Sequence, residues 1–216
     1  MTPTITEQAI MIPPTGLAGD LVMPARATGV ILFAHGSGSS RHSSRNRYVA
    51  SVLQHGGFGT LLLDLLTPAE EDVDVRTRHL RFDIPLLAGR LIEAVDWLQH
   101  QPATRDQRIG TFGASTGAAA ALIAAAKRAA LVGAVVSRGG RPDLAGSALR
   151  EVQAPTLLIV GGEDLEVIEL NREAYDELRC EKQIAIVPGA SHLFEERGAL
   201  EQVSKLAVDW FGRHLR

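Results

Sequence analysis

Several things the chain has little of narrow its function before any motif is read. A single cysteine, Cys180, stands among 216 residues, so no internal disulfide can form and no cysteine cluster is there to build a zinc site. Charge of one sign is also missing: 22 basic and 25 acidic side chains leave a net charge of -3. That balance gives no reason to expect a nucleic-acid partner or a highly charged binding tail. The first ten residues, MTPTITEQAI, lack the basic start and apolar stretch of a secretory signal. Long apolar runs are absent as well. Residues 109–126 carry no charge, but three glycines, Ser115 and many alanines suit a buried strand, turn and helix better than a membrane span. A cytoplasmic setting without a membrane partner is the expectation.

With 45% hydrophobic and 22% charged residues, the composition is that of an ordinary globular protein, and the length fits one domain, 1–216. Short Val, Ile and Leu runs lie at 30–33, 60–63, 109–112, 131–136, 156–160 and 184–187, each the length of a buried strand. Between them run helical periods: Leu87, Leu91, Val95 and Leu98 share one face, and Leu200, Val203, Leu206, Ala207 and Trp210 share another. Strands that alternate with helices predict an α/β fold, with a mostly parallel sheet covered on both faces. Thr4 to Ile10 and Leu17 to Met23, around a Pro-Pro-Thr-Gly turn, predict a hairpin that adds an antiparallel edge. The stretch Thr67 to Phe82 has no clear period and reads as a candidate flexible flap. Its carboxylates Glu70, Glu71, Asp72 and Asp74 read as a solvated charge run, since no second acidic cluster completes a metal cage.

Chemistry concentrates at Gly113-Ala-Ser-Thr-Gly117, between the apolar run 109–112 and an alanine-rich helix. A sharp strand-to-helix turn pushes the serine out above a sheet, and side chains at the two flanking positions would clash, so glycine is needed there. A serine hydroxyl is a poor nucleophile without a neighbouring base, usually an imidazole oriented by a carboxylate. His192 follows the run 184–187 in a Pro-Gly-Ala-Ser-His loop, and Asp164 follows the run 156–160 in Gly-Gly-Glu-Asp. Both loops leave the ends of parallel strands, where ligands bind. Glu163 and Glu166 are rivals for the acid. Backbone donors for an oxyanion are expected at Thr116, which opens the helix, and at Ser37 in Phe33-Ala-His-Gly-Ser-Gly38, with His35 holding that loop by hydrogen bonds. Gly36-Ser-Gly38 begins like a dinucleotide fingerprint, but Arg41 stands where its third glycine belongs, and no phosphate-binding loop with Gly-Lys-Ser/Thr is present. His55, His79, His100 and His214 have no spacing that suits a metal and are assigned to the surface.

Arginines flank the crevice. Arg41, Arg45 and Arg47 follow the Ser37 loop, and Arg138 lies just past the run 131–136. Arg138 and Arg41 are candidate substrate-binding residues for a carboxylate or phosphate, and the bland alternative for Arg138 is a salt bridge to nearby acids.

Taken together, Phe33-Ala-His-Gly-Ser-Gly-Ser-Ser40, the Gly113 to Gly117 motif, Gly161-Gly-Glu-Asp164 and Gly189-Ala-Ser-His-Leu-Phe194 resemble the dienelactone-hydrolase-like branch of the α/β-hydrolases across almost the whole chain. The resemblance implies a compact sheet without a large cap domain and a Ser115, Asp164 and His192 triad acting on small esters or lactones, a reaction that requires no cofactor and no metal. One departure is the nucleophile, Ser115 where the dienelactone hydrolases carry cysteine, which argues against dienelactone itself. Leu165-Glu166 after the acid also departs from the branch's pattern. Two other readings of the scaffold are a non-catalytic small-molecule binder and an acyltransferase using the same residues.

Overall fold

The computed structural model describes residues 5–215. Its centre is an eight-stranded sheet. The strands are β1 (Ile5–Ile12), β2 (Leu17–Pro24), β3 (Val30–Ala34), β4 (Gly59–Leu63), β5 (Ile109–Ala114), β6 (Val132–Arg138), β7 (Thr156–Gly161) and β8 (Lys182–Val187). They are arranged in the order β1-β2-β4-β3-β5-β6-β7-β8. β1 pairs antiparallel with β2, and β2 antiparallel with β4, while every other neighbouring pair is parallel. The predicted hairpin is therefore the antiparallel edge. Thr4, where its first strand was expected to start, lies outside the described residues.

Six α-helices cover the sheet: α1 (Ser44–His55), α2 (Pro68–Thr77), α3 (Ile84–His100), α4 (Thr116–Lys127), α5 (Leu165–Glu177) and α6 (Ala199–His214). The alternation of side chains along a strand separates two cores. Val30, Leu32 and Ala34 of β3 pack with Leu87, Leu91, Leu98 and the alanines of α4 on one face. Ile31 and Phe33 pack on the other face with Val49 and Leu53 of α1 and with Val203, Trp210 and Phe211 of α6. Small residues suit α4, because Ala118, Ala119, Ala120 and Ala121 are all wholly buried and a longer side chain would hold the helix off the sheet.

Strand order fixes where a ligand can sit. β3 lies between β4 and β5, so the chain turns to opposite sides as it leaves the ends of β3 and β5, and a crevice opens between the two departing loops. The loop after β3 carries Ser37, and the loop after β5 carries Ser115.

The segment 67–82 differs from its reading as a flexible flap over solvated charges. It is α2 followed by a 3-10 turn, Leu80–Phe82. Thr67 caps α2 in a reciprocal capping box with Glu70, and Pro68 occupies the first turn, a signal already present in Thr-Pro-Ala-Glu. Asp74 is fully buried. It accepts hydrogen bonds from the amides of Leu80 (2.8 Å) and Arg81 (3.1 Å) and from Arg81 Nε (2.5 Å). Glu70 pairs with Arg90 at 2.5 Å. The helix is held by these polar ties rather than by an apolar stripe, which is why no hydrophobic period announced it.

Burial alone would push the Asp74 carboxyl up, but the hydrogen bonds and charge of Arg81 and the amide of Leu80 outweigh it and hold the group below its ordinary value. A carboxylate depressed in the folded state lends stability above its unfolded value of about 3.9 and withdraws it as pH falls through the lower folded value. Asp74→Asn should therefore melt below the wild type at pH 7, and its thermal midpoint should fall less steeply on acidification below about pH 4. A calorimetric scan of midpoint against pH checks both.

Candidate active site

Ser115 sits between β5 and α4 with φ +49° and ψ -124°, a conformation that non-glycine residues adopt only where the surroundings enforce it. The surroundings here are backbone. A Cβ at Gly113 would press on Ala118, 2.7 Å from its amide nitrogen, and one at Gly117 would stand 2.5 Å from the carbonyl oxygen of His35. The first glycine lets α4 turn back against β5, and the second lets α4 pass beneath the loop after β3. The Ser115 carbonyl is fastened by the amides of Ala118 (3.1 Å) and Arg141 (3.0 Å). The serine is half-buried at the mouth of the crevice.

His192 and Asp164 stand on neighbouring loops. Gly162 donates to the carbonyl of Val187 (2.8 Å) and Glu163 to that of Ala190 (3.0 Å). The loops are so close that a Cβ on Gly161 would lie 2.6 Å from the carbonyl oxygen of Ser191. His192 Nδ1 is 2.7 Å from Asp164 Oδ2. A carboxylate can only accept, so Nδ1 carries the hydrogen, and in the neutral ring Nε2 is left as the basic nitrogen. Asp164 is the residue that precedes α5, yet its carboxylate forms no cap to the helix and is spent on the imidazole instead. Glu163 and Glu166, the rival acids, are exposed.

Ser115 and His192 line one cavity of about 240 Å³ together with Gly36, Ser37, Asn46 and Arg138. Among the described residues no hydrogen bond joins Ser115 Oγ to His192. In a ligand-free site such bonds are often long and tighten only around substrate. The Ser37 and Thr116 amides, the expected oxyanion donors, make no backbone hydrogen bond outside the helices and strands. His35 braces the loop that carries Ser37: its Nε2 accepts from the Leu65 amide (3.1 Å), so Nδ1 donates to the Gly36 carbonyl (2.9 Å). Burial pushes the His35 imidazole below its ordinary value, which favours the neutral ring that this pair of bonds requires.

Of the two candidate arginines only Arg138 belongs to this cavity. Arg41 is tied by its side chain and its amide to Asp64 and reaches Asp20 at 3.5 Å. It lines a neighbouring cavity with Asp64, Leu66 and Glu71. Its charge is already matched, which argues against the role expected of it. Among the described residues Arg138 forms no salt bridge, the alternative considered for it, and Asp143, close to it in the chain, pairs with Arg141. Burial, with Arg45 close by, pushes the Arg138 guanidinium down to about 10, still charged at neutral pH. Asn46 at the start of α1 reaches the same wall and had no sequence signal. His55, His79 and His100 are exposed as expected, whereas His214 is half-buried against Trp210, ring centres 4.5 Å apart. Among the described residues no group of three His, Cys, Asp or Glu side chains could hold a metal ion. Among the described residues no helix is long and apolar enough to cross a membrane.

The sheet, the turn at Ser115 and the paired loops are those of an α/β-hydrolase, and residues 17–215 match the model of the dienelactone hydrolase family; the chain belongs to that family. A dienelactone hydrolase from Anabaena variabilis, known from its crystal structure, is 59% identical, with TM-score 0.96 and full coverage of both chains. Est1E from Butyrivibrio proteoclasticus shares the fold at 15% identity, with TM-score 0.77 over 95% of this chain and 98% of its own. A Mycobacterium tuberculosis protein provisionally named a phosphoribosyl transferase is 58% identical over 209 residues, which are 97% of this chain and 46% of that protein. The chain thus spans about half the length of this relative. Family and fold together support hydrolase activity.

The turn at Ser115 holds strain that glycine would not feel, typically 1–3 kcal/mol for such a residue. Ser115→Gly should therefore be more stable than Ser115→Ala by about 1 kcal/mol once the added freedom of the unfolded glycine is counted. Gly117→Ala should lose roughly 1–3 kcal/mol or more through the collision with the loop after β3. Urea unfolding of the three variants measures both effects.

Proposed function

We propose that the chain is a serine hydrolase that cleaves small carboxylic esters or lactones through an acyl-enzyme on Ser115. The observation that carries this reading is the 2.7 Å contact between His192 Nδ1 and Asp164, formed at the cavity in which Ser115 stands on its strained turn. His192 Nε2 takes the Ser115 proton as Oγ attacks the ester carbonyl, and the amides of Ser37 and Thr116 hold the resulting oxyanion. Collapse of the intermediate breaks the bond to the alcohol oxygen, which leaves with the proton from His192. A water molecule, deprotonated in turn by His192, then attacks the acyl-enzyme and releases the acid and free Ser115. Asp164 keeps the imidazole in the required tautomer and stabilises it while it is charged.

The name of the mycobacterial relative suggests transfer of a phosphoribosyl group, but that name belongs to a protein about twice this length. The chain carries no Gly-Lys-Ser/Thr phosphate-binding loop, and the grouping of Ser115, His192 and Asp164 supports acyl chemistry. An acyltransferase would use the same first half-reaction and differ only in the acceptor that replaces water.

Reaction with a fluorophosphonate followed by intact-mass measurement should label the wild type once and leave Ser115→Ala unlabelled. On short-chain nitrophenyl esters, Ser115→Ala should lower kcat by about a thousandfold or more. Asp164→Asn should lower it by about 10³–10⁴-fold, whereas Glu166→Gln should stay within about twofold. A labelled Ser115→Ala, or a wild type that neither labels nor turns over, would overturn the assignment in favour of a binding protein.

A further inference from the structure

A guanidinium keeps its proton at any ordinary pH, so burying one without an anion is costly. Other arginines withdrawn from solvent answer that cost with a carboxylate: Arg81 with Asp74, Arg90 with Glu70 and Arg41 with Asp64. Arg138 does not. It is 7% exposed, and its Nε and Nη1 have no hydrogen-bond partner. Its side chain meets the Asn46 amide oxygen through Nη2 at a long 3.4 Å and lies 5.9 Å from the centre of the Phe194 ring. The neighbouring charge it feels is that of Arg45, of its own sign. Arg45 pairs with Glu195 at 2.9 Å on the exposed rim. Arg138, Arg45, Asn46 and Ser43 form one wall of the cavity that contains Ser115. Positive charge is therefore stored, uncompensated and largely dry, beside the proposed nucleophile.

We propose that this wall is an oxyanion subsite: the ester cut at Ser115 carries a second, spectator group, a carboxylate or a phosphate, that is held by the Arg138 guanidinium with Arg45 and Asn46 beside it. Charge-assisted hydrogen bonds to a buried guanidinium are strong because little water competes for them. The subsite deepens the reading of Ser115 as nucleophile and rests on it for turnover, but binding at the wall does not require that reading.

The test compares three nitrophenyl esters of similar acyl length: the neutral valerate, the glutarate hemiester and the 4-phosphonobutyrate. Wild type should favour at least one anionic ester over valerate in kcat/KM, and the favoured ester tells carboxylate from phosphate. In Arg138→Met that preference ratio should fall about tenfold or more, while the thermal midpoint should equal or exceed that of the wild type, because an unpaired buried charge has been removed. A residue kept only for structure would give the opposite pair, a lower midpoint and an unchanged ratio, and that result would overturn the proposal. Should Arg138→Met fail to fold, Arg45→Gln at the rim must lower the ratio severalfold, and an unchanged ratio there sinks the idea. Calorimetric titration of glutarate and of inorganic phosphate into Ser115→Ala, with and without Arg138→Met, separates the two readings. If no ester is turned over yet one anion binds about tenfold more weakly without Arg138, the subsite stands and the nucleophile falls. If esters are cleaved by wild type but neither anion's binding nor the ester ratio depends on Arg138, the subsite falls and the nucleophile stands.

Discussion

Three stretches of backbone crowd together beneath Ser115: the end of β5, the first turn of α4 and the loop that leaves β3. Two positions without a side chain, Gly113 and Gly117, make that crowding possible, and much of the site's arrangement follows from it. The close packing forces Ser115 to a positive φ and sets the start of α4, at Thr116 and Gly117, against the loop that leaves β3. Strand order does the rest. Because β3 and β5 are neighbours whose chains depart in opposite directions, the space above them is left to solvent and ligand, and beyond β6 the ends of β7 and β8 bring Asp164 and then His192 along the same rim.

Much of this arrangement could be read from residue order, for reasons that are local. Parallel strands buried on both faces must be nearly all apolar, and β3 to β7 are. A strand-turn-helix with glycines two residues either side of a serine has few other uses, and the acid and the imidazole each follow an apolar run directly. What escaped notice depended on partners distant in the chain. Arg41 and Arg138 look equivalent as residues near a crevice. Only the fold shows that Asp64, 23 positions away, matches the first and that among the described residues no acid matches the second. Asp74 was misread among solvated carboxylates for the same reason, since its burial is set by Arg81 folding back over it. In that instance the Thr67 to Glu70 capping box was a local sign of the helix that went unread.

Electrostatics divides the molecule into two regimes. On the α2 side, each interior cation is matched by a carboxylate and the segment 67–82 is pinned, with the Arg81 guanidinium lying against Gly38 of the Ser37 loop. That brace steadies one half of the site from behind. On the α1 side, Arg138 at the end of β6 has no carboxylate partner among the described residues. On the proposed mechanism, rigidity where the oxyanion is held and unmatched charge where a ligand arrives would be complementary properties of one cavity.

The loops after β7 and β8 are stitched by two amide bonds and pressed together at Gly161, so the acid and the base travel as one piece. On the proposed mechanism, a shift of that edge of the sheet would change the gap across which a proton passes from the Ser115 hydroxyl while leaving the carboxylate-imidazole pair intact. Reactivity would then turn on a single distance, set by how far one stiff corner leans toward the centre.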